Sequence, residues 1–590
     1  MKKILDLITD EVTKAFTECG YDAKYAKVTL SNRPDLCEYQ CNGAMAAAKE
    51  YKKAPFMIAD EVVEKLAVNP MFVMAESVKP GFLNLKIDEA YLADYVAKMQ
   101  EDEGRFGCEK TEAPKTIMID YGGPNVAKPL HVGHLRSAII GESIKRMGRF
   151  LGYHMIGDVH LGDWGLQMGL IIEELRDRKP ELPYFDESFE GEYPEEAPFT
   201  ISELEDIYPT ASGKSKVDEA FKARAQEATF KLQNGYKPFR AIWKHIMNVS
   251  LADLKKNYGN LGVTFDLWKG ESDAQPYIPG LIQDLQDKGL AYESQGALVV
   301  DIAQEGDSKE LPPCIIRKSD GAALYATSDL GTIIEREKDF APSKYIYITD
   351  KRQELHFIQV FRVAKKAGYV KPDTQMVHLM FGTMNGKDGK PFKTREGGVM
   401  RLENLVAEIN DAVYARIMEN RTISEEEAKE TAKVIGLAAL KYGDLSNQAS
   451  KDYIFDIDRF VSFEGNTGPY ILYTIVRIKS ILNKYQELNG HRAEEAKILA
   501  PVSDAEKALM LQLTKYNEVI ENSFAETAPH KICQFIYELS DAFNKFYNST
   551  MILKEEDKDR QASYIRLITL VKQVLETCID LLGFEAPERM

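Results

Sequence analysis

Between residues 116 and 152 the chain has one economical way to fold: a buried strand, a tight turn and a helix. Thr116-Ile117-Met118-Ile119-Asp120-Tyr121 is a short apolar run, and Gly122-Gly123-Pro124-Asn125 ends it with turn chemistry. Beyond the turn Leu135, Ile139, Ile140, Ile144, Met147 and Leu151 recur near helical spacing, and Gly152 stops the helix. That helix opens on His131-Val132-Gly133-His134. Its two histidines share one face of the first turn, where unpaired backbone N–H groups and the helix dipole favour phosphate. Gly133 between them lets a planar base approach the backbone. Two neutral imidazoles can each donate one hydrogen bond to a phosphoryl oxygen, so the segment reads as a nucleotide site. Two blander readings use the same residues. The histidines could serve only as caps, or could bind zinc, although no third ligand stands at zinc spacing.

Parallel-sheet patterning returns later. Lys344 to Thr349 reads as a strand, Gln353 to Ala367 as a helix stopped by Gly368, and Met376 to Phe381 as the next strand. Ligands in such sheets sit at the carboxyl ends of strands, so Asp120 to Asn125, Asp350 to Gln353 and Gly382 are expected to converge on one crevice. Between these βα units, Lys179 to Pro198 reads as an exposed loop and Ser215 to Leu254 as helix, with no chemistry assigned to the charge runs. Leu437 to Tyr442, Tyr470 to Tyr485, Ala505 to Asn522, Ala528 to Tyr547 and Gln561 to Leu582 have helical periodicity, which predicts a C-terminal bundle. The first 112 residues read as a small α/β unit, with an alanine-rich helix after Asn42 and an alternating strand from Lys79 to Ile87.

A chain of 590 residues is long enough for roughly three to five domains. Its net charge of −17 argues against non-specific nucleic-acid binding, so any RNA contact must rest on local basic surface. Seven scattered cysteines fit a reducing compartment, and the spacing of Cys37 and Cys41 beside Ala44 predicts helical, buried packing. Asp6, Asp10 and Glu11 interrupt the N-terminal apolar run, and no segment approaches the ~20 apolar residues of a membrane span. A cytoplasmic location is expected.

The string Pro124-Asn125-Val126-Ala127-Lys128-Pro129 through His134-Leu135-Arg136-Ser137 resembles the arginyl-tRNA synthetase form of the first class I synthetase motif. The likeness continues through Gly162-Asp163-Trp164-Gly165, Asp320-Gly321, Tyr325 to Asp329, Gln353 to His356 and the terminal Ala586-Pro587-Glu588-Arg589-Met590. It implies a multidomain α/β plus all-α chain: a small α/β N-terminal domain over 1–112 touching the tRNA corner, then a Rossmann-type parallel-sheet catalytic domain over 113–400 with an insertion at about 172–310. A connecting helical segment over 401–460 and a helical anticodon-binding domain over 461–590 would follow. The implied activity is ATP-dependent attachment of L-arginine to tRNA(Arg) through an arginyl-adenylate, releasing AMP and pyrophosphate, with Mg²⁺ accompanying ATP and a monomer as the working form.

The resemblance also implies residue roles. His131, His134, Lys128, Lys390 and Lys393 would be catalytic, and Gly133, His378 and Gly382 would join His131, His134 and Lys390 in binding ATP. The family's second motif, a mobile lysine loop, corresponds to Gly386-Lys387-Asp388-Gly389-Lys390-Pro391-Phe392-Lys393-Thr394-Arg395-Glu396-Gly397-Gly398, in which glycines offer hinges and four cations fall within nine residues. Pro391-Phe392 replaces the usual Met-Ser, and either Lys393 or Arg395 fills the second lysine's place. A guanidinium is always charged and is best held by planar, charge-assisted hydrogen bonds. Asp120, Asn125, Tyr325, Asp329 and Gln353 match the arginine pocket, with Asp120 standing where Glu is common. Tyr470, Tyr473 and Arg477 match the tRNA-binding start of the bundle, and no protein-held metal is implied. Two rivals stay open on sequence alone: a different ATP-using transferase, and a catalytically silent relative that only binds RNA or a protein.

Overall fold

Strand Thr116–Asp120 lies at the topological centre of a four-stranded parallel sheet, paired with His154–Asp158 on one side and Lys344–Asp350 on the other, with Gln375–Phe381 beyond. The chain therefore builds outward from its first strand in one direction and later returns to build in the other. At such a switch point a crevice opens beyond the carboxyl ends of the two central strands. The register sets Asp120 level with Asp158 on one neighbour and Tyr347 on the other. In this computed structural model residues 1–318, 324–391, 400–420, 423–490 and 492–590 are described.

The inner strands are apolar along most of their length because they are buried between helices. Met118, Tyr345 and Tyr347 bury against Leu330 and Ile333 of helix Tyr325–Asp339 and against Phe357, Val360 and Val363 of helix Glu354–Lys366. Helix Val132–Phe150, hereafter the site helix, comes so close to Tyr121 that a Cβ on Gly141 would lie 2.2 Å from the ring. Ser137 on this helix accepts the Gly122 N–H at 2.8 Å and donates to the Ile348 carbonyl at 2.7 Å, tying turn, helix and neighbouring strand together. Arg136, 1% exposed, does the same on the other flank. Its guanidinium donates to Asp444 (3.0 Å), to the Gly382 carbonyl (2.8 Å) and to the Lys451 carbonyl (3.0 Å).

The polar stretch between the βα units folds into helices Leu166–Arg178, Ile201–Val217, Glu219–Gln233 and Lys237–Asn260, around a small core of Leu170, Ala211, Phe221 and Ala225. Residues 179–198 are the expected loop, exposed over most of its length, with one anchored point. Tyr184 is buried, stacks on Tyr193 at 5.0 Å and shares a 2.9 Å hydrogen bond with His245, so aromatic packing pins a segment whose charge suggested solvent. Strands Ala291–Ser294, Ala297–Val300 and Cys314–Arg317 add a small antiparallel sheet.

Two compact units result: Thr111–Val461 with Leu581–Phe584, and Met1–Lys110 with Ser462–Asp580 and Glu585–Met590. The second unit contains an antiparallel sheet, Val28–Leu30, Tyr39–Cys41, Phe82–Ile87 and Phe72–Val78 in that order, together with the C-terminal helices. Within it Lys507 binds Glu38 (2.9 Å) and Glu89 (2.8 Å), joining sheet and bundle. Cys37 and Cys41 are buried as expected, but Cys41 ends a strand instead of lying on a helix, because pairing of Tyr39 with Leu85 and Cys41 with Leu83 overrides the local spacing. The run from Ala505 to Asn522 is two helices, Asp504–Leu513 and Tyr516–Ala525. Among the described residues no helix is long and apolar enough to cross a membrane.

Gly141→Ala is expected to force the site helix off Tyr121 and to destabilise the protein by about 1–3 kcal/mol, read as a lower thermal unfolding midpoint.

Candidate active site

His131 is the N-cap of the site helix, and its Nδ1 accepts the Gly133 N–H at 3.0 Å. In return His134 Nδ1 accepts the His131 N–H at 3.2 Å. This is a capping box built from imidazoles, and it has a chemical consequence. A nitrogen that accepts from a backbone N–H carries no proton, so in both neutral rings the proton is on Nε2. Burial, with the nearby positive charge of Lys128, lowers the pKa of His131; burial, then His131 and Lys128, lowers His134 to about 3. Both rings are neutral at pH 7 and lie 3.9 Å apart centre to centre, and among the described residues neither Nε2–H has a partner. Capping and phosphate binding are thus compatible uses of the same residues. A Cβ on Gly133 would also lie 2.8 Å from the His131 ring, so the histidine cap itself favours glycine there.

The turn before the helix is held by the Gly162-Asp163-Trp164-Gly165 segment. Val126 N–H donates to the Gly162 carbonyl at 3.0 Å, Gly162 N–H to the Pro124 carbonyl at 3.1 Å, and a Cβ on Gly162 would lie 2.0 Å from the Asn125 side chain. Asn125 is therefore seated by a glycine 37 positions later, since 162 − 125 = 37. Lys128 is half-buried, with Nζ 4.4 Å from the centre of the Tyr208 ring.

The acidic wall of the crevice is partly neutralised from within. Arg336, 2% exposed, donates through Nη2 to Asp120 and Asp158 at 2.6 Å each and through Nη1 to Tyr347 at 3.1 Å. Asp120 already has a guanidinium partner in the protein itself. Asp120, Asp158 and His160 bring candidate ligand atoms within 4.8 Å of one another, but a permanent cation on both carboxylates does not suit a resident metal.

Tyr325 is 69% exposed at the start of its helix. Asp329 lies inside that helix instead of capping it, and its carboxylate meets His356 Nε2 at 2.5 Å. Gln353 is exposed at the N-cap of helix Glu354–Lys366. Sequence reading missed Glu271. Leu161 and Gly270 pair beside the strand end, Glu271 N–H donates to the Leu161 carbonyl at 3.0 Å, and Asp163 holds Ser272 N–H at 3.0 Å, which delivers Glu271 to the crevice. Burial, with the charges of Asp163 and Asp329 adding to it and His160 opposing, raises Glu271 to about 7. Tyr325 lies within its field. Asp329 adds to the negative field at Glu271, whose sequence signal was a lone Gly-Glu step.

His378 lies within strand Gln375–Phe381, bonded to Thr349 at 2.7 Å and packed on Phe357 at 4.6 Å, and burial followed by the charge of His356 lowers it to about 4. Gly382 is fitted against Lys451 and Asp452, where a Cβ would lie 2.5 Å from neighbouring atoms. Lys390 closes a turn, its carbonyl accepting the Gly386 N–H at 2.8 Å, while Lys387 pairs with Asp456 at 3.1 Å. Lys393 and Arg395, like Asp320 and Gly321, lie outside the described residues. On the helical bundle, the Arg477 guanidinium lies 4.7 Å from the Tyr473 ring centre and 5.3 Å from that of Tyr547, and donates to Asn544 at 2.7 Å. Asn544 also donates to the Tyr470 hydroxyl at 2.9 Å. Tyr547 was not foreseen, because helical periodicity does not distinguish an exposed aromatic from a core one.

Family models match three stretches: the class I (R) tRNA synthetase catalytic domain over 96–457, the DALR anticodon binding domain over 471–590, and the arginyl tRNA synthetase N-terminal domain over 2–87. The chain is 64% identical to an arginine–tRNA ligase of Agathobacter rectalis and 56% identical to one of Alkaliphilus oremlandii, each match covering all of both proteins. Crystal structures of arginyl-tRNA synthetases from Plasmodium falciparum (TM-score 0.81, 24% identity) and Thermus thermophilus (0.78, 22%) share its fold over the full length of both chains.

Arg336→Met is expected to leave two buried carboxylates unpaired and to cost about 3–5 kcal/mol of stability near pH 7. Unpaired buried carboxylates take up protons more readily, so the deficit against the parent protein should shrink as pH falls from 7 to 5, as thermal melts across that range would report.

Proposed function

Because this chain belongs to the arginyl-tRNA synthetase family, and so is a class I synthetase that charges tRNA(Arg) with arginine, we propose a division of its crevice into a phosphate wall and a guanidinium wall. The supporting observation is the reciprocal histidine cap: it leaves two Nε2–H donors on one helix face, neutral at working pH. The arginine carboxylate is already ionised and attacks the α-phosphorus with loss of pyrophosphate, so no general base is needed. His131 and His134 donate to phosphoryl oxygens as charge develops there, the role of an oxyanion hole. Lys128, Lys390 and Lys393 neutralise the triphosphate, and Gly133, His378 and Gly382 line the nucleotide. Synthetases of this kind generally use ATP with Mg²⁺; we assign the ion to the phosphates, since Arg336 occupies the carboxylates that could otherwise hold it.

Glu271 and Asp329 take the guanidinium, with Tyr325 against it and His356 orienting Asp329. Asn125, Gln353 and Asp120 meet the amino-acid backbone. The adenylate then passes to the terminal ribose of tRNA. Tyr473 and Tyr547, both against the Arg477 guanidinium, offer faces on which unpaired anticodon bases stack, with Tyr470 joined to the group through Asn544. We assign residues 1–112 to the tRNA corner, 113–400 to catalysis with an insertion at about 172–310, 401–460 to connection and 461–590 to the anticodon, in a cytoplasmic monomer.

Arginine-dependent AMP release, assayed with and without tRNA(Arg), tests substrate and reaction together; equal release with other amino acids would overturn the reading. His134→Ala should lower charging by about 10²- to 10³-fold while tRNA affinity is nearly unchanged, and normal charging would refute its role. The pH dependence of arginine KM tests the acidic pair. Arginine binds ionised Glu271, which burial raises to about 7, so KM should rise by about tenfold from pH 8 to pH 6. Glu271→Gln should weaken arginine binding and flatten that profile.

A further inference from the structure

A lysine on a flexible stem clamps phosphate well only if something confines its ammonium beforehand. A carboxylate partner would do so at the expense of cancelling the charge and competing for the same protons. An aromatic face holds the ammonium by its quadrupole and leaves the outward N–H groups free.

Lys128 meets the second kind of partner. The backbone before it is unusual, since Ala127 has φ +60, a left-handed conformation that a residue with a Cβ rarely adopts. Two contacts hold it there: Ala127 N–H donates to Ser250 Oγ at 3.0 Å, and Val126 N–H donates to the Gly162 carbonyl at 3.0 Å. Beyond this bend Nζ of Lys128 stands 4.4 Å from the centre of the Tyr208 ring. Tyr208 belongs to insertion helix Ile201–Val217 and packs on the core of Leu170, Ala211, Phe221 and Ala225. Pro209 follows it inside the helix, so the hydrogen bond that residue 209 would ordinarily give the Glu205 carbonyl cannot form. A local cost sits where this helix meets the site.

The same helix reaches the other border of the phosphate wall. Glu205 pairs with Arg401 at 2.7 Å, and Arg401 is bridged to His131 in antiparallel fashion. Val132 N–H donates to the Met400 carbonyl at 3.1 Å, and Leu402 N–H to the Leu130 carbonyl at 2.9 Å. One insertion helix therefore touches both chain segments that flank the histidines.

We infer that Tyr208 is a positioning residue for ATP: its ring cradles the Lys128 ammonium at the phosphate wall without neutralising it, while Glu205 anchors the neighbouring segment through Arg401. This rests on the assignment of Lys128 to the triphosphate, and the two claims separate experimentally. Pyrophosphate exchange is measured against ATP in the full-length protein with tRNA(Arg) for Lys128→Met, Tyr208→Leu, Tyr208→Met, Tyr208→Phe and the Lys128→Met/Tyr208→Leu double variant. The two aliphatic Tyr208 variants keep apolar volume against Phe221, so folding of either one suffices. The expected result is a roughly 5- to 30-fold fall in kcat/KM for ATP, with arginine KM changed less than twofold and most of the loss recovered in Tyr208→Phe. In the Lys128→Met background the Tyr208 substitution should add nothing, as coupling through one contact requires. If Lys128→Met impairs ATP use and the aliphatic Tyr208 variants do not, or if their loss persists in the double variant, the cradle is wrong and the lysine assignment stands. If Lys128→Met leaves ATP kinetics intact, both are wrong.

Discussion

Each histidine at the head of the site helix gives Nδ1 to a backbone N–H, and the chemistry of the crevice depends on that exchange. It satisfies two of the orphan donors every helix start carries, removes any choice of tautomer, and leaves both remaining protons on Nε2 for the phosphate contacts proposed above. Burial then keeps the rings uncharged, so they respond to charge that develops in the reaction without attracting a standing anion of their own. Gly133 is required because the His131 ring lies where its side chain would be.

Around this helix start the protein separates two kinds of charge. Arg336 takes Asp120 and Asp158, so the guanidinium wall proposed above is built from Glu271 and Asp329. In the proposed guanidinium wall His356 bonds to Asp329, and burial raises Glu271 to about 7. On the other wall Lys128 is confined by an aromatic ring, so its charge is placed and still available.

The insertion contributes more than solvated surface. Helix Ile201–Val217 supplies Tyr208 and Glu205, helix Lys237–Asn260 supplies Ser250, and both bear on the segments bordering the histidines. These are long-range contacts between residues whose local sequence is ordinary. Charge patterning could only label the stretch polar.

Read by itself, the sequence determined the strand, turn and helix of residues 116–150, the later βα unit, the helical C-terminal region and the pairing of His131 with His134, because each follows from local periodicity, turn chemistry or spacing of three residues. Tertiary structure decided which charges remain available. Asp120 reads from the sequence as an unpaired strand-end carboxylate, but Arg336, 216 residues away, donates to it, and Glu271 is held in place by contacts to Leu161, Gly270 and Asp163 that no local pattern announces. Pairing and desolvation act through space at a few ångströms. Both escape a reading confined to neighbours along the chain.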